Sequence, residues 1–98
     1  MDKPPQIDRP DLYVVARLLE RLWREDSAVL KTRLQVACNV NYDVFRKYIS
    51  WMADRELVAF ESSEDGHEKV ILTPKGEEAY RKLVQWISEV VRGREPGY

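Results

Sequence analysis

Three side chains able to bind nucleic acid lie close together in the middle of the chain: Tyr42, Arg46 and Lys47. A guanidinium group can donate two hydrogen bonds to one guanine, and Lys and Tyr side chains can donate to phosphate oxygens. At helical spacing the three lie one to two turns apart and point the same way. Asn41 and Ser50 are placed to add a base or backbone contact. The pattern predicts binding to double-stranded DNA, although an ordinary solvated helix face also carries Arg and Lys.

A second polar group, Lys31, Thr32 and Arg33, comes earlier in the chain. All three lie in the first turn of a predicted helix, where basic side chains oppose the helix macrodipole and so do little for the helix itself. A phosphate partner would explain their presence, and so would ordinary solvation. We expect these residues to contact the DNA backbone next to the first group.

Two short helices joined by a tight turn are predicted to position both groups. The first spans about residues 30–38, and the turn is formed by Asn39-Val40-Asn41. Asn tolerates the left-handed conformation that ends one helix, and Asn41 can also cap the next. The second helix spans about residues 42–55. This is the layout of a helix-turn-helix, which places its second helix in the major groove of DNA.

The flanking segments complete a recognisable fold. An amphipathic helix over residues 11–25 comes first. Two short strands, 57–61 and 68–72, follow the helix-turn-helix, and the acidic loop between them contains an Asp-Gly hairpin signal. Thr73 is a good N-cap for a last helix, which Gly93 ends. The predicted fold class is therefore α+β, a winged helix-turn-helix with a three-helix core, a β-hairpin wing and a C-terminal helix.

The length and composition of the chain limit what else it does. Its 98 residues fit one domain, predicted over residues 10–92 between an N-terminal tail (1–9) and a C-terminal tail (93–98). The sequence has no signal-peptide pattern and no membrane-spanning apolar run, so we expect a cytoplasmic protein with no membrane partner. One Cys and one His cannot form a zinc site, and Cys38 is predicted to be a small buried residue. Phosphate-binding loops and nucleophile motifs are missing, so we expect no metal, no cofactor and no enzymatic activity.

The charge of the chain argues against DNA binding, but its distribution does not. The formal net charge is −1, whereas a typical nucleic-acid-binding domain is clearly basic. Residues 27–60 carry five basic and three acidic groups, and residues 61–72 carry one basic and four acidic groups. The positive excess thus falls on the helix-turn-helix and the negative excess on the wing. A local basic face can still steer the protein onto phosphate.

The last helix has more apolar surface than a single capping helix needs. The residues expected at an interface between two copies are Tyr80, Leu83, Trp86, Ile87 and Val90. Two-fold dimers are the commonest assemblies, and many DNA-binding proteins use them to reach two half-sites. We therefore expect a homodimer. The alternative is that the whole stripe belongs to the core of one chain.

Several motifs of the chain occur together in a known family. They are Lys31-Thr32-Arg33-Leu34, Asn39-Val40-Asn41-Tyr42, Tyr48-Ile49, Leu57-Val58 and Leu72-Thr73-Pro74-Lys75-Gly76-Glu77. Together they cover about half of the chain. With these spacings the chain resembles the small archaeal winged-helix proteins that include the ten-kilodalton chromatin-associated type.

The resemblance implies a winged-helix DNA-binding domain that is often dimeric through its last helix. The chain departs from the family in having Glu56 where Gly is frequent before the strand that follows the helix-turn-helix, and in a shorter last helix. Its acidic wing and near-neutral charge favour a transcriptional regulator with a specific site over an abundant chromatin protein. The competing hypothesis is a winged-helix protein–protein interaction module that does not bind DNA.

Overall fold

A computed structural model describes residue 7 and residues 9–91 of the chain. The elements are α1 (Leu12–Arg24), β1 (Ala28–Leu30), α2 (Lys31–Ala37), α3 (Tyr42–Asp54), β2 (Val58–Ser62), β3 (Glu68–Leu72), α4 (Pro74–Trp86) and a π-helical turn (Ile87–Val91). The predicted α+β class, with helices followed by a hairpin and a last helix, is confirmed. The predicted tails lie outside the described residues except for residues 7 and 9, as does residue 92.

Helix α1 supplies one wall of the core. It begins after Asp11, whose carboxylate accepts a hydrogen bond from the Tyr13 backbone N–H at 2.9 Å. Its apolar side chains recur every three or four residues, which places them on one face. The buried members of this stripe are Val15, Leu18, Leu19 and Leu22. Leu12 continues the stripe at its N-terminal end but stays exposed.

The turn between α2 and α3 forms as its sequence predicts. Asn39 has a φ of +56°, in the left-handed region that Asn tolerates. The Asn41 side chain accepts a hydrogen bond from the Val44 N–H at 2.8 Å, so it caps α3. Helix α3 then turns Phe45, one of the fully buried side chains, into the core. The helix-turn-helix is therefore rigidly defined at the point where the DNA-binding residues begin.

The three strands form one antiparallel sheet in the order β1-β3-β2. Strand β1 was not predicted, because its three residues are too few to show an alternating pattern. It pairs with β3 so that Leu30 lies opposite Lys69, and β2 pairs with β3 so that Phe60 lies opposite Val70. The β2–β3 hairpin is the predicted wing, and its turn contains Gly66 at a φ of +87°. The sheet places the start of α2 beside the end of β3 that is nearest the wing turn.

Helix α4 is held mainly at its N-terminal end. The Thr73 hydroxyl accepts a hydrogen bond from the Gly76 N–H at 2.9 Å, and it lies 2.6 Å from the Glu56 carbonyl oxygen, to which it can donate. Gly76 is the only residue of α4 that is buried. A Cβ atom at this position would lie 2.0 Å from the Leu57 carbonyl oxygen, so only glycine permits this approach. The rest of the helix extends along α1 with much of its surface open to solvent.

The described residues include no helix with the length and apolar content needed to cross a membrane. No three His, Cys, Asp or Glu side chains among them are grouped so that they could hold a metal ion. Cys38 is buried, as predicted, and its thiol lies 3.8 Å from the Arg17 carbonyl oxygen. Burial raises the pKa of the Cys38 thiol, and the positive charges of Arg17 and Arg21 partly oppose that rise.

Candidate nucleic-acid interface

The outer face of α3 brings Tyr42 and Arg46 together. The Arg46 guanidinium carbon lies 5.8 Å from the centre of the Tyr42 ring, as expected for residues four apart on a helix. Neither Arg46 nor Lys47 forms a salt bridge with any carboxylate in the described part of the chain. Both side chains are partly buried along their apolar stems. Their charges are therefore available to a partner outside the chain.

An open groove of about 330 Å³ separates α3 from the wing. The lining residues are Lys31, Arg46, Ile49, Ser50, Ala53, Asp54, Phe60 and Glu68. Two cations, two carboxylates, a hydroxyl and an aromatic ring thus share one concave surface. The groove combines donors and acceptors, which suits recognition of a polar edge better than binding of an apolar molecule.

Lys31 lies at the wing side of this groove and is already paired. Its ammonium group is 3.2 Å from the Glu68 carboxylate and 5.8 Å from the centre of the Phe60 ring. Lys31 is the first residue of α2, directly after β1, and Glu68 is the first residue of β3. The pairing of β1 with β3 brings the two side chains together across 37 positions of sequence.

Arg33 also has a carboxylate partner, whereas the Thr32 side chain forms no hydrogen bond with any of the described residues. The Arg33 guanidinium lies 3.5 Å from Glu25, which also pairs with Arg21 at 3.3 Å. The Thr32 side chain is exposed. Two of the three predicted phosphate ligands thus have carboxylate partners in the same chain, and neither pair follows from local helical spacing, because one spans 37 positions and the other joins α2 to the end of α1.

The remaining predicted residues lie around the same face. The Asn41 side-chain oxygen is used in capping α3, which leaves its amide hydrogens as the available donors. Ser50 lines the groove beside Arg46. Lys47 lies on α3 next to Arg46 but outside the groove lining. The structure therefore brings Arg46, Ser50 and Lys31 into one concavity and leaves Lys47 at its outer side.

The family of the chain follows from its match to a known pattern. A family model described as a winged helix-turn-helix matches residues 9–90. The chain belongs to the winged helix-turn-helix family. The resemblance to archaeal winged-helix proteins that the motifs indicated is thereby confirmed, and the three-helix core, hairpin wing and last helix have the expected order.

Relatives of this winged helix-turn-helix protein include a curated protein and several solved structures. The uncharacterized protein MJ0290 of Methanocaldococcus jannaschii is 30% identical over 88 residues, which are 90% of this chain but only 36% of that protein. The chain thus spans about a third of this relative's length.

The solved structures agree on the fold. F93 from STIV, a winged-helix DNA-binding protein, has a TM-score of 0.78 at 19% identity and covers 89% of this chain and 100% of its own. Sso10a-2, a DNA-binding protein from Sulfolobus solfataricus, has a TM-score of 0.69 at 18% identity, covering 81% and 79%. BpsR of Bordetella bronchiseptica has a TM-score of 0.69 at 20% identity, covering 91% and 74%.

Five groove residues of this winged helix-turn-helix protein were not predicted as site residues from its sequence: Ile49, Ala53, Asp54, Phe60 and Glu68. Phe60 shares a face of β2 with the buried Val58, so alternation alone assigns it to the core. It is exposed because β2 extends beyond the core towards the wing tip. The acidic character of the wing was visible in the sequence, but the position of Glu68 beside Lys31 depends on strand register.

The residues predicted for a dimer form one stripe along α4 and the π-helical turn that follows it. Tyr80 contacts its own chain, with its ring centre 5.6 Å from that of Trp23, and partial burial followed by the charge of Glu20 raises its pKa. Leu83 and Ile87 are partly buried. Trp86 and Val90 are 48% and 59% exposed. Part of the apolar stripe therefore packs within the winged helix-turn-helix domain, and part is uncovered.

Proposed function

We propose that the protein binds double-stranded DNA as a transcriptional regulator and reads the major groove with α3. The observation that supports this most directly is the charge of Arg46 on the outer face of α3, which lines the groove beside the wing and has no carboxylate partner among the described residues. In a helix-turn-helix this is the face that contacts base edges. Membership of the winged helix-turn-helix family supports the same reading.

The roles of the individual residues follow from their donors. Arg46 is suited to bidentate hydrogen bonds with guanine, and its guanidinium lies within cation–π distance of the Tyr42 ring. Ser50 and the Asn41 amide supply further donors on the same face. Lys47, at the outer side, is placed to contact phosphate. Together they form a small polar surface with base-reading groups at its centre.

Lys31, Thr32 and Arg33 are proposed as phosphate ligands on the neighbouring backbone. Their carboxylate partners do not prevent this role, because exposed ion pairs are worth only about 0–1 kcal/mol and can be exchanged for phosphate. The side chains of the Lys31–Glu68 pair are 32% and 43% exposed. Lys31 can therefore leave Glu68 for a phosphate group at a cost of about 1 kcal/mol or less.

Binding to duplex DNA at graded salt concentrations tests the proposal. Arg33 and Lys47 should each add about −0.9 to the slope of log affinity against log salt, and Lys31, which must first leave Glu68, should add less, so a slope of about −2 per protomer is expected. Arg46→Ala should weaken binding at a preferred site by about 1–3 kcal/mol. Arg81→Ala is the matched control, because it removes the same charge from an exposed position on α4. Equal affinities of the two variants would contradict the proposed face.

We further propose that the protein acts as a homodimer through the uncovered side of α4. Trp86, the last residue of α4, and Val90, about one turn later in the π-helical turn that extends it, are 48% and 59% exposed. Exposed apolar side chains clustered on one helix mark an interaction surface, and a two-fold contact would let each copy cover the other. A dimer would also present two copies of α3 to successive turns of the duplex.

Sedimentation of the protein over a range of concentrations tests the dimer. Trp86→Ser should weaken dimerisation by at least about tenfold, because buried Trp residues dominate interface energies. Phe60→Ser is the control, since it removes an equally exposed aromatic ring from the wing. A monomer at high micromolar concentration, or equal effects of both substitutions, would contradict this interface.

One observation favours a second function, that of a protein-interaction module without DNA binding. The wing tip is acidic and its residues Glu64 and Asp65 are exposed, so it would repel phosphate. A basic protein would be a suitable partner for this tip. Absence of binding to any duplex at low salt, together with capture of such a partner, would favour this function over DNA binding.

A further inference from the structure

The groove between α3 and the wing contains a carboxylate that the DNA-binding proposal does not need. Glu68 lines this groove together with Arg46 and Ser50, and its carboxylate lies 3.2 Å from the Lys31 ammonium group. Asp54 adds a second negative charge to the same lining. A surface selected only for affinity to a polyanion would not place carboxylates here, because each repels phosphate.

The contact between Glu68 and Lys31 is fixed by the backbone as well as by the side chains. Leu30, the residue before Lys31, pairs with Lys69, the residue after Glu68. Both side chains therefore leave adjacent strand ends within the sheet. The centre of the Phe60 ring lies 5.8 Å from the same ammonium group, within cation–π distance. The pair is thus a built feature of the junction between α2 and the wing.

We propose that Glu68 is a specificity-determining residue that suppresses binding to non-cognate DNA. The inference rests on the proposed function. Non-specific binding comes almost entirely from cations that neutralise phosphates, whereas specific binding adds contacts to base edges. Glu68 pairs with Lys31 and places a negative charge in the groove. It therefore weakens the non-specific contribution, which comes from neutralising phosphates. The base contacts of Arg46 are left to decide which sites are occupied.

The decisive variant is Glu68→Gln, which keeps the shape of the side chain and removes its charge. Binding to a duplex of random sequence should become about three- to tenfold tighter at low salt. The slope of log affinity against log salt should steepen by up to about 0.9, since Lys31 no longer has to leave a carboxylate before it neutralises a phosphate. Glu64→Gln is the matched control, because it removes the same charge from the wing tip, outside the groove lining. The affinity of Glu64→Gln protein for a duplex of random sequence should stay close to that of the wild type.

A second background separates the local effect of Glu68 from a general change in net charge. In the Lys31→Ala background, adding Glu68→Gln should increase the affinity for DNA by less than half as much as it does in the wild type. The reason is that the Lys31 cation, which the substitution would free, is absent. Both side chains are solvent-accessible, so the thermal unfolding midpoint should be nearly unchanged, which confirms that the variants fold.

The outcomes distinguish the inference from the proposal beneath it. If the wild type binds DNA but Glu68→Gln does not increase the affinity, or if Glu64→Gln increases it equally, the role of Glu68 is overturned. The DNA-binding function is not affected by either result. Weaker binding of Glu68→Gln to a selected site would mean that the carboxylate accepts a hydrogen bond from a base, which also overturns it. Failure of both wild type and Glu68→Gln to bind any duplex at low salt overturns the DNA-binding function and the inference together.

Discussion

Helices α3 and α4 have the same length, thirteen residues, and each begins after a side chain that caps it. Their burial differs sharply. Helix α3 buries Phe45, Ile49 and Met52, whereas α4 buries only Gly76. Both sequences are amphipathic. An apolar stripe on a helix therefore predicts that this face is buried, but it does not predict which surface buries it.

The outer faces of the two helices differ as well. Helix α3 presents Arg46 and Lys47 outward, free of carboxylate partners within the described residues, whereas α4 and the π-helical turn that extends it present Trp86 and Val90. A charged outer face on a well-buried helix suits a polar partner such as DNA, because the helix cannot shift when it binds. An apolar outer face on a lightly buried helix suits a second copy of the chain. The two helices thus have complementary parts in the proposed regulator.

The largest expected contrast comes from removing one aromatic ring from each helix. Phe45→Ala should lower the free energy of unfolding by about 3–5 kcal/mol, because it leaves a cavity in the core. Trp86→Ala should cost less than about 1 kcal/mol in dilute solution, where the chain is a monomer. Urea unfolding measures both values.

The protein concentration sharpens this contrast. The cost of Trp86→Ala should grow with concentration, because the wild type gains stability from dimerisation and the variant does not. The cost of Phe45→Ala should stay constant, since its ring contacts only its own chain. Equal costs for the two substitutions in dilute solution would show that Trp86 anchors α4 within a single domain.

The next largest effect is expected at the anchored end of α4. Gly76→Ala should destabilise the protein by about 3 kcal/mol, because its Cβ would lie 2.0 Å from the Leu57 carbonyl oxygen and 2.8 Å from Leu72. Glu78→Ala, on the exposed side of the same helix, should change the free energy of unfolding by less than about 0.5 kcal/mol. Similar values for both, from chemical denaturation, would mean that the start of α4 can move away from the strand at little cost.

Much of the fold could be predicted because its signals are local. The caps Asn41 and Thr73 were both visible from residue type and position, and each makes the predicted hydrogen bond. Strand β1 could not be predicted, because its three residues are stabilised by β3, a segment far away in the sequence. The role of Gly76 also depends on a distant partner, the backbone of Leu57.

The candidate site divides in the same way. The outward position of Tyr42 and Arg46 follows from helical periodicity, so the sequence was enough to find them. The partners of Lys31 and Arg33 were not predictable, since Glu68 and Glu25 reach them through the register of the sheet and the packing of α1. Local pattern therefore identifies which cations are present, and tertiary structure decides which of them are already neutralised.

The smallest expected effect concerns Glu56, which lies just after α3 and whose backbone contacts the residue that caps α4. It follows α3 with a φ of +64°, and its carbonyl oxygen lies 2.6 Å from the Thr73 hydroxyl that opens α4. The left-handed conformation costs a residue with a side chain about 1–2 kcal/mol. Glycine avoids this cost but loses about 0.5–1 kcal/mol through the greater freedom of the unfolded chain.

Glu56→Gly should therefore raise the free energy of unfolding by about 0.5 kcal/mol, as measured by urea unfolding. Loss of the ion pair with Lys75, at 3.9 Å between exposed side chains, subtracts little from this gain. Asn39→Gly is the control, at a φ of +56°, and should gain less because Asn tolerates the left-handed region. If Glu56→Gly instead destabilised the protein, the junction between α3 and α4 would depend on the Glu56 side chain, and the two helices would be more tightly coupled than their burial indicates.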